Sequence, residues 1–147
     1  MPSAIDSTSE FQARSDAKRC WAFFTDLENI GRCIPGCESV TLLPDGAALL
    51  QVKLSVGYIT RSFELKARFK EKVPESKVSF VGEGSDADVS GTVEMRAGES
   101  PGYTVVTTSI RIRPLSVLGR TAVSMFGADL VKKQADAFAT CARSKLE

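Results

Sequence analysis

A chain of 147 residues with 43% hydrophobic and 25% charged side chains has an ordinary globular composition, and at this length one domain buries roughly two-thirds of its unfolded surface. Nineteen Lys and Arg against eighteen Asp and Glu leave a formal charge of +1, too weak a field to attract a polyanion, so nucleic acid is excluded as the expected partner. Histidine is absent, which removes the commonest general base near neutral pH and any Ser–His or Cys–His nucleophile pair.

Residues 1–8 read as a flexible N-terminus and residues 9–145 as a single domain. Met1 to Glu10 lacks the apolar centre of a signal peptide, and no run approaches the roughly 20 apolar residues that span a bilayer. The expected location is therefore cytoplasmic. Ser9 to Arg14 alternate, with Phe11 and Ala13 on one side, and predict a short first strand. Asp16 then caps a helix whose Ala17, Cys20, Trp21 and Phe24 fall on one stripe, and Thr25 with Glu28 has the spacing of a capping box for a second short helix carrying Leu27 and Ile30. Pro35 and Gly36 end the helical stretch in a sharp loop.

From Glu38 to Arg113 the hydrophobic period is two. Turn signals at Pro44-Asp45-Gly46, Pro74-Glu75-Ser76, Gly82-Glu83-Gly84-Ser85 and Gly98 to Gly102 divide the stretch into about six antiparallel strands. Leu50, Val52, Leu54 and Val56 share one face, and so do Phe63, Leu65, Ala67 and Phe69. Val78, Phe80, Ala87, Val89, Gly91, Val93 and Met95 continue it, and Val106, Thr108, Ile110 and Ile112 are the favoured inward set of the last strand. After Pro114 the period becomes helical. Val123, Phe126, Gly127, Leu130, Ala137, Phe138 and Cys141 are expected on one face of a long helix, which needs the apolar face of the sheet to cover. The fold class is thus α+β, a curved antiparallel sheet of about seven strands wrapped around a C-terminal helix, with two short helices after the first strand.

Several segments carry a family resemblance: Ile34-Pro35-Gly36-Cys37 after two short helices, Val56-Gly57-Tyr58-Ile59 opening a long strand with Phe63, the Gly82-Glu83-Gly84 turn, and Leu118-Gly119 beginning the last helix. With these the chain resembles the carbon monoxide dehydrogenase CoxG family, within the START-like helix-grip superfamily that also contains polyketide cyclases. The similarity runs from Glu10 to Phe138. It implies a hollow grip whose cavity, between sheet and last helix, accepts lipids, quinones or other hydrophobic small molecules. It also implies an accessory role beside a molybdenum hydroxylase of the carbon monoxide dehydrogenase type, at the inner membrane surface. Glu64 departs from the glycine frequent in relatives, and Leu146-Glu147 reads as a cloning scar, which leaves membrane attachment open.

The wall residues expected for ligand binding are Phe63, Phe69, Phe80, Met95, Thr108, Phe126, Leu130 and Gln134. Gln134 is the polar member of the last helix's stripe; it reads either as a donor to a ligand carbonyl or, more simply, as an amide satisfied by backbone or water. Small residues at Ala67, Gly91, Gly127 and Ala137 leave space across the grip. Arg61 shares the inward register, but a solvated outward position is favoured. The outward row Lys66, Arg68, Lys70 and Lys72 reads as a wet sheet face. Asp86 and Asp88 lie beside a turn, too hydrated for acid-base work. The four cysteines, Cys20, Cys33, Cys37 and Cys141, form no CxxC pair, so neither a zinc site nor a disulfide is expected, and Cys33 and Cys37 read as packing residues with a redox role left open. No cofactor and no enzymatic activity are expected. A cyclase- or dehydratase-like enzyme, with Arg61, Tyr58 and Tyr103 as its candidate groups, and a solid interaction module are the alternatives.

Overall fold

The computed structural model describes residues 4–56 and 59–147, with side chains described except at 54, 56, 59, 118, 119, 121–126 and 128. The chain runs β1 (Ile5–Ala13), α1 (Ala17–Phe24), α2 (Leu27–Cys33), β2 (Cys37–Leu42), β3 (Ala48–Val56), β4 (Ile59–Val73), β5 (Lys77–Glu83), β6 (Ala87–Ala97), β7 (Thr104–Pro114) and α3 (Val117–Leu146). Consecutive strands from β2 to β7 lie close together in the chain, and each pairs antiparallel with the next. The helical excursion through α1 and α2 frees β1 to close the other edge beside β7, giving the order β1-β7-β6-β5-β4-β3-β2.

β1 begins at Ile5, not Ser9. Residues expected to precede the domain instead pair with β7, from Ile5 opposite Ile112 to Ala13 opposite Thr104. Polar Asp6, Ser7 and Thr8 masked this in the sequence; Asp6 reaches Arg111 at 3.0 Å on the wet face. The inward registers hold: Ala67, Val78, Gly91, Val93, Met95, Val106 and Thr108 are all buried.

Local chemistry sets the helix ends. The Asp16 carboxylate accepts the Arg19 N–H at 2.8 Å and starts α1. Thr25 does not open a capping box; its hydroxyl donates back to the Trp21 carbonyl at 2.7 Å and closes α1, while Asp26 caps α2 by accepting the Glu28 N–H at 2.9 Å. An Asp at the adjacent position competes successfully with Thr for this role. Beyond α2, Gly36 adopts φ +83° and its carbonyl accepts the Lys53 N–H at 2.8 Å; a Cβ there would lie 2.1 Å from the Lys53 carbonyl oxygen. Only glycine fits both constraints.

α3 packs chiefly against β1 and β7 and touches α2, α1 and β3 sparsely. Its buried face is Gly127, Val131, Ala135, Phe138, Ala139, Ala142 and Leu146. Ala137, expected inward, is exposed, because the true stripe is rotated toward the small residues that let the helix approach the sheet. Leu146 is a core residue, 1% exposed.

Candidate ligand cavity

The space beneath α3 is filled at one end and hollow at the other. At the filled end, Cys20 and Phe24 of α1 and Ile30 of α2 meet Val78, Val93, Met95 and Val106 from the sheet and Phe138, Ala142 and Leu146 from α3. Farther along the sheet no described residue of α1 or α2 enters the grip, and Leu27 of α2 packs behind Val52 and Leu65. A cavity of about 90 Å³ remains there, walled by Val52, Leu65, Phe80, Val89, Val93, Thr108, Ile110 and Ile112 of the sheet, roofed by Leu130, Gln134, Ala135 and Phe138, and closed at one side by Ile34. The strand alternation aims these side chains inward.

Of the expected wall residues, Phe80, Thr108, Leu130 and Gln134 line this cavity. Met95 does not. It sits 5% exposed in the filled end, where α1 covers β6. Phe69 packs between the two hydrophobic clusters, with the Lys72 ammonium 4.5 Å from its ring centroid. Phe63 is half-buried opposite Val52 in the β3–β4 pair and lies outside the cavity. The Phe126 side chain lies outside the described residues, as does Tyr58. Preference for aromatic rings passed over the aliphatic Ile34, Leu65, Val89, Ile110 and Ile112, although alternation had already put most of them on the inner face, and Phe138 of the α3 stripe was omitted as well.

Small residues do not by themselves make the space. A Cβ on Gly91 would lie 2.4 Å from Phe80 Cζ, so that glycine is the seat of a ring, and Ala137 faces out.

Four polar residues belong to the lining, Thr92, Thr108 and Ser109 from the sheet and Gln134 from α3. The Thr108 hydroxyl donates to the Ser9 carbonyl at 3.4 Å and is thereby occupied with β1. The half-buried Gln134 amide has no hydrogen-bond partner among the described residues. Among the described lining residues none carries a titratable group.

Charged candidates lie elsewhere. Arg61 is exposed, as favoured, and stands 3.9 Å from Asp86, which also accepts the Ser116 hydroxyl at 2.6 Å. Asp88 pairs with Arg113 at 2.6 Å. Along the outward face Lys66 meets Asp45 at 3.8 Å and Arg68 meets Glu83 at 2.9 Å, so acids punctuate the basic row. Tyr103 belongs to the β6–β7 hairpin, away from the cavity lining.

The cysteines overturn the expectation of four free thiols. Cys33, at the end of α2, is disulfide-bonded to Cys141 of α3, with Cα atoms 5.4 Å apart and 108 residues between them in sequence. Helical phase brought Cys141 to the covered face, but nothing in the sequence placed α2 beside it. Burial pushes the free Cys20 and Cys37 thiols above their ordinary range, and the Cys37 thiol donates to the Ser39 carbonyl at 3.4 Å. Arg32, the one basic neighbour of this loop, is paired with Glu28. No group of three metal-ligating side chains occurs among the described residues, and no helix there is long and apolar enough to cross a membrane.

Solved structures share this architecture at low identity. A conserved protein of Geobacillus kaustophilus is 13% identical with a TM-score of 0.77, over 97% of this chain and 95% of its own. A START superfamily protein of Mycobacterium smegmatis is 10% identical with a TM-score of 0.66, covering 99% and 97%. The Zhui aromatase/cyclase of a Streptomyces species is 10% identical with a TM-score of 0.61, covering 98% and 96%. No curated protein matches the chain. The family model for carbon monoxide dehydrogenase CoxG matches residues 10–147, from β1 through the whole of α3, and the chain belongs to that family.

Proposed function

We propose that this protein is a carrier or adaptor that holds a hydrophobic small molecule, quinone-like or lipid, beside a carbon monoxide dehydrogenase-like molybdenum hydroxylase at the inner membrane surface. The observation that carries the reading is an apolar cavity with an amide in its roof: Gln134, which makes no hydrogen bond to a described residue, is the donor that a guest carbonyl would meet, against walls of Leu65, Val89, Ile110 and Ile112. Family membership supports the partner enzyme. A cyclase-like activity has less support, since the described lining offers no acid, base or thiol, and Arg61 and Tyr103 stand outside it. A solid interaction module is disfavoured by the cavity itself.

The test compares 2,3-dimethyl-1,4-naphthoquinone with naphthalene, which has the rings but no carbonyls. Calorimetry should show both bound, the quinone more tightly. Gln134→Leu should abolish the difference, a loss of up to about tenfold in quinone affinity, as one net hydrogen bond allows. Failure of both compounds to bind would end the proposal.

A further inference from the structure

At about 90 Å³ the cavity is smaller than the void of about 150 Å³ that admits benzene in an engineered core, so a ring-sized guest requires a wall to move. The sheet wall is continuous from β3 to β7, and strand pairing holds it. The seam between Ile34 and Phe138 is different. These two residues face the cavity from separate elements, and each is the chain neighbour or helical-turn neighbour of a bonded cysteine, Ile34 of Cys33 and Phe138 of Cys141. α2 and α3 otherwise touch sparsely. On its other side α3 is anchored to β1 and β7 by buried Val131, Ala135 and Ala139 and by the Ser9 hydroxyl donating to Asp136 at 2.8 Å.

We infer that the Cys33–Cys141 bond is a redox latch on the cavity: while it is closed the Ile34–Phe138 seam is pinned and ring-sized guests exchange slowly, and once a dithiol reductant opens it α3 swings on its β1 anchor and guests enter and leave. The inference rests on the ligand-holding reading and adds its regulation. Cys33 is 3% exposed and Cys141 is half-buried, so a reductant thiolate meets the Cys141 sulfur first. Attack there forms a mixed disulfide and expels the Cys33 thiolate, which takes a proton. The reductant's second thiolate then closes its own disulfide and releases Cys141, so two electrons and two protons pass from the dithiol to the protein. Cys37 takes no part; its thiol is bonded to the Ser39 carbonyl.

Stopped-flow fluorescence would measure naphthalene dissociation from the oxidised protein, the dithiol-reduced protein, Cys141→Ser and Cys33→Ser. Naphthalene is inert to thiols. The last three should release it at least tenfold faster than the first, and Cys37→Ser should keep the full response to reduction. In parallel, amide hydrogen exchange should show protection falling at residues 134–142 with β1 and β7 unchanged. Equal release rates in the oxidised and Cys141→Ser proteins overturn the latch, and so does loss of protection across the whole sheet, which would make the bond a staple of the fold. If naphthalene binds no form, the cavity reading fails, and exchange still decides the latch: selective loosening of residues 134–142 supports it, and unchanged protection there overturns it.

Discussion

The filled and hollow ends of the grip are built from the same sheet in the same inward register, yet they pack differently because Phe24 of α1 and Ile30 of α2 enter only one of them, while Leu27 of α2 packs behind Val52 and Leu65 at the other. Where Phe24 and Ile30 enter from those helices, Val78, Val93, Met95 and Val106 find partners and are buried to 5% exposure or less. Where no such plug arrives, Leu65, Val89, Ile110 and Ile112 border a void. Alternation thus decides which way a side chain points, whereas the neighbouring element decides whether it touches anything. The sharpest test is truncation on each side. Phe24→Ala leaves a new hole in the filled end and should cost about 3–5 kcal/mol in denaturant unfolding, while Leu130→Ala enlarges an existing void and should cost less than about 2 kcal/mol. Comparable losses at the two sites would mean that the hollow end is as tightly packed as the filled one.

The loop between the two ends gives the next effect. Ile34 packs against both clusters and closes the cavity, and the following residues hold it by the Gly36–Lys53 contact. Gly36→Ala places a methyl against a backbone carbonyl in left-handed geometry and should destabilise by about 2–3 kcal/mol in the same assay. Gly46, with φ +90° and open space around its Cβ, should lose less on the same substitution.

How far the sequence was legible follows the same division. Period and turn chemistry gave the seven strands, the three helices and the inward faces, because each depends on neighbours in the chain. Contacts between distant elements were not legible. The bond between Cys33 and Cys141 needs the relative placement of α2 and α3, which no local pattern carries. The inclusion of Met95 among the wall residues failed for the same reason: its direction was right, but the helix that covers it was not placed. Gln134 was legible because a lone amide in an apolar stripe is a local anomaly, and it does face the cavity. Residues Ile5 to Thr8 were missed because an edge strand with one wet face and polar side chains lacks a hydrophobic alternation.

Gly91→Ala moves the boundary between the ends. Its methyl would meet the Phe80 ring at 2.4 Å, and the ring is itself a cavity wall, so displacing it fills part of the hollow. Unfolding free energy should fall by about 1–3 kcal/mol through overpacking, and naphthalene affinity should fall with it. Adding Phe80→Leu to Gly91→Ala should recover both. Recovery of stability without recovery of binding would detach Phe80 from the cavity.

The smallest effect probes the anchor on which both ends depend. Asp136 accepts the Ser9 hydroxyl at 2.8 Å and the Lys132 ammonium at 3.1 Å, and the Ser9 bond, followed by that of Lys132, holds its carboxyl below the ordinary range. A carboxyl whose value is lowered by folding stabilises the fold when ionised. That contribution is complete above the unfolded value of about 4 and is lost as pH falls through the lower folded value. Because Asp136 is exposed, solvent screens the effect and the loss of global stability should be slight. It should nevertheless be local, with amide exchange at the β1–α3 contact quickening in acid more than exchange at β4. Carboxyl NMR titration should find the Asp136 value rising toward the ordinary one in Ser9→Ala, and rising less in Lys132→Met. A larger rise in Lys132→Met would place the anchor within α3, leaving the helix free of β1 and removing the pivot on which the cavity roof turns.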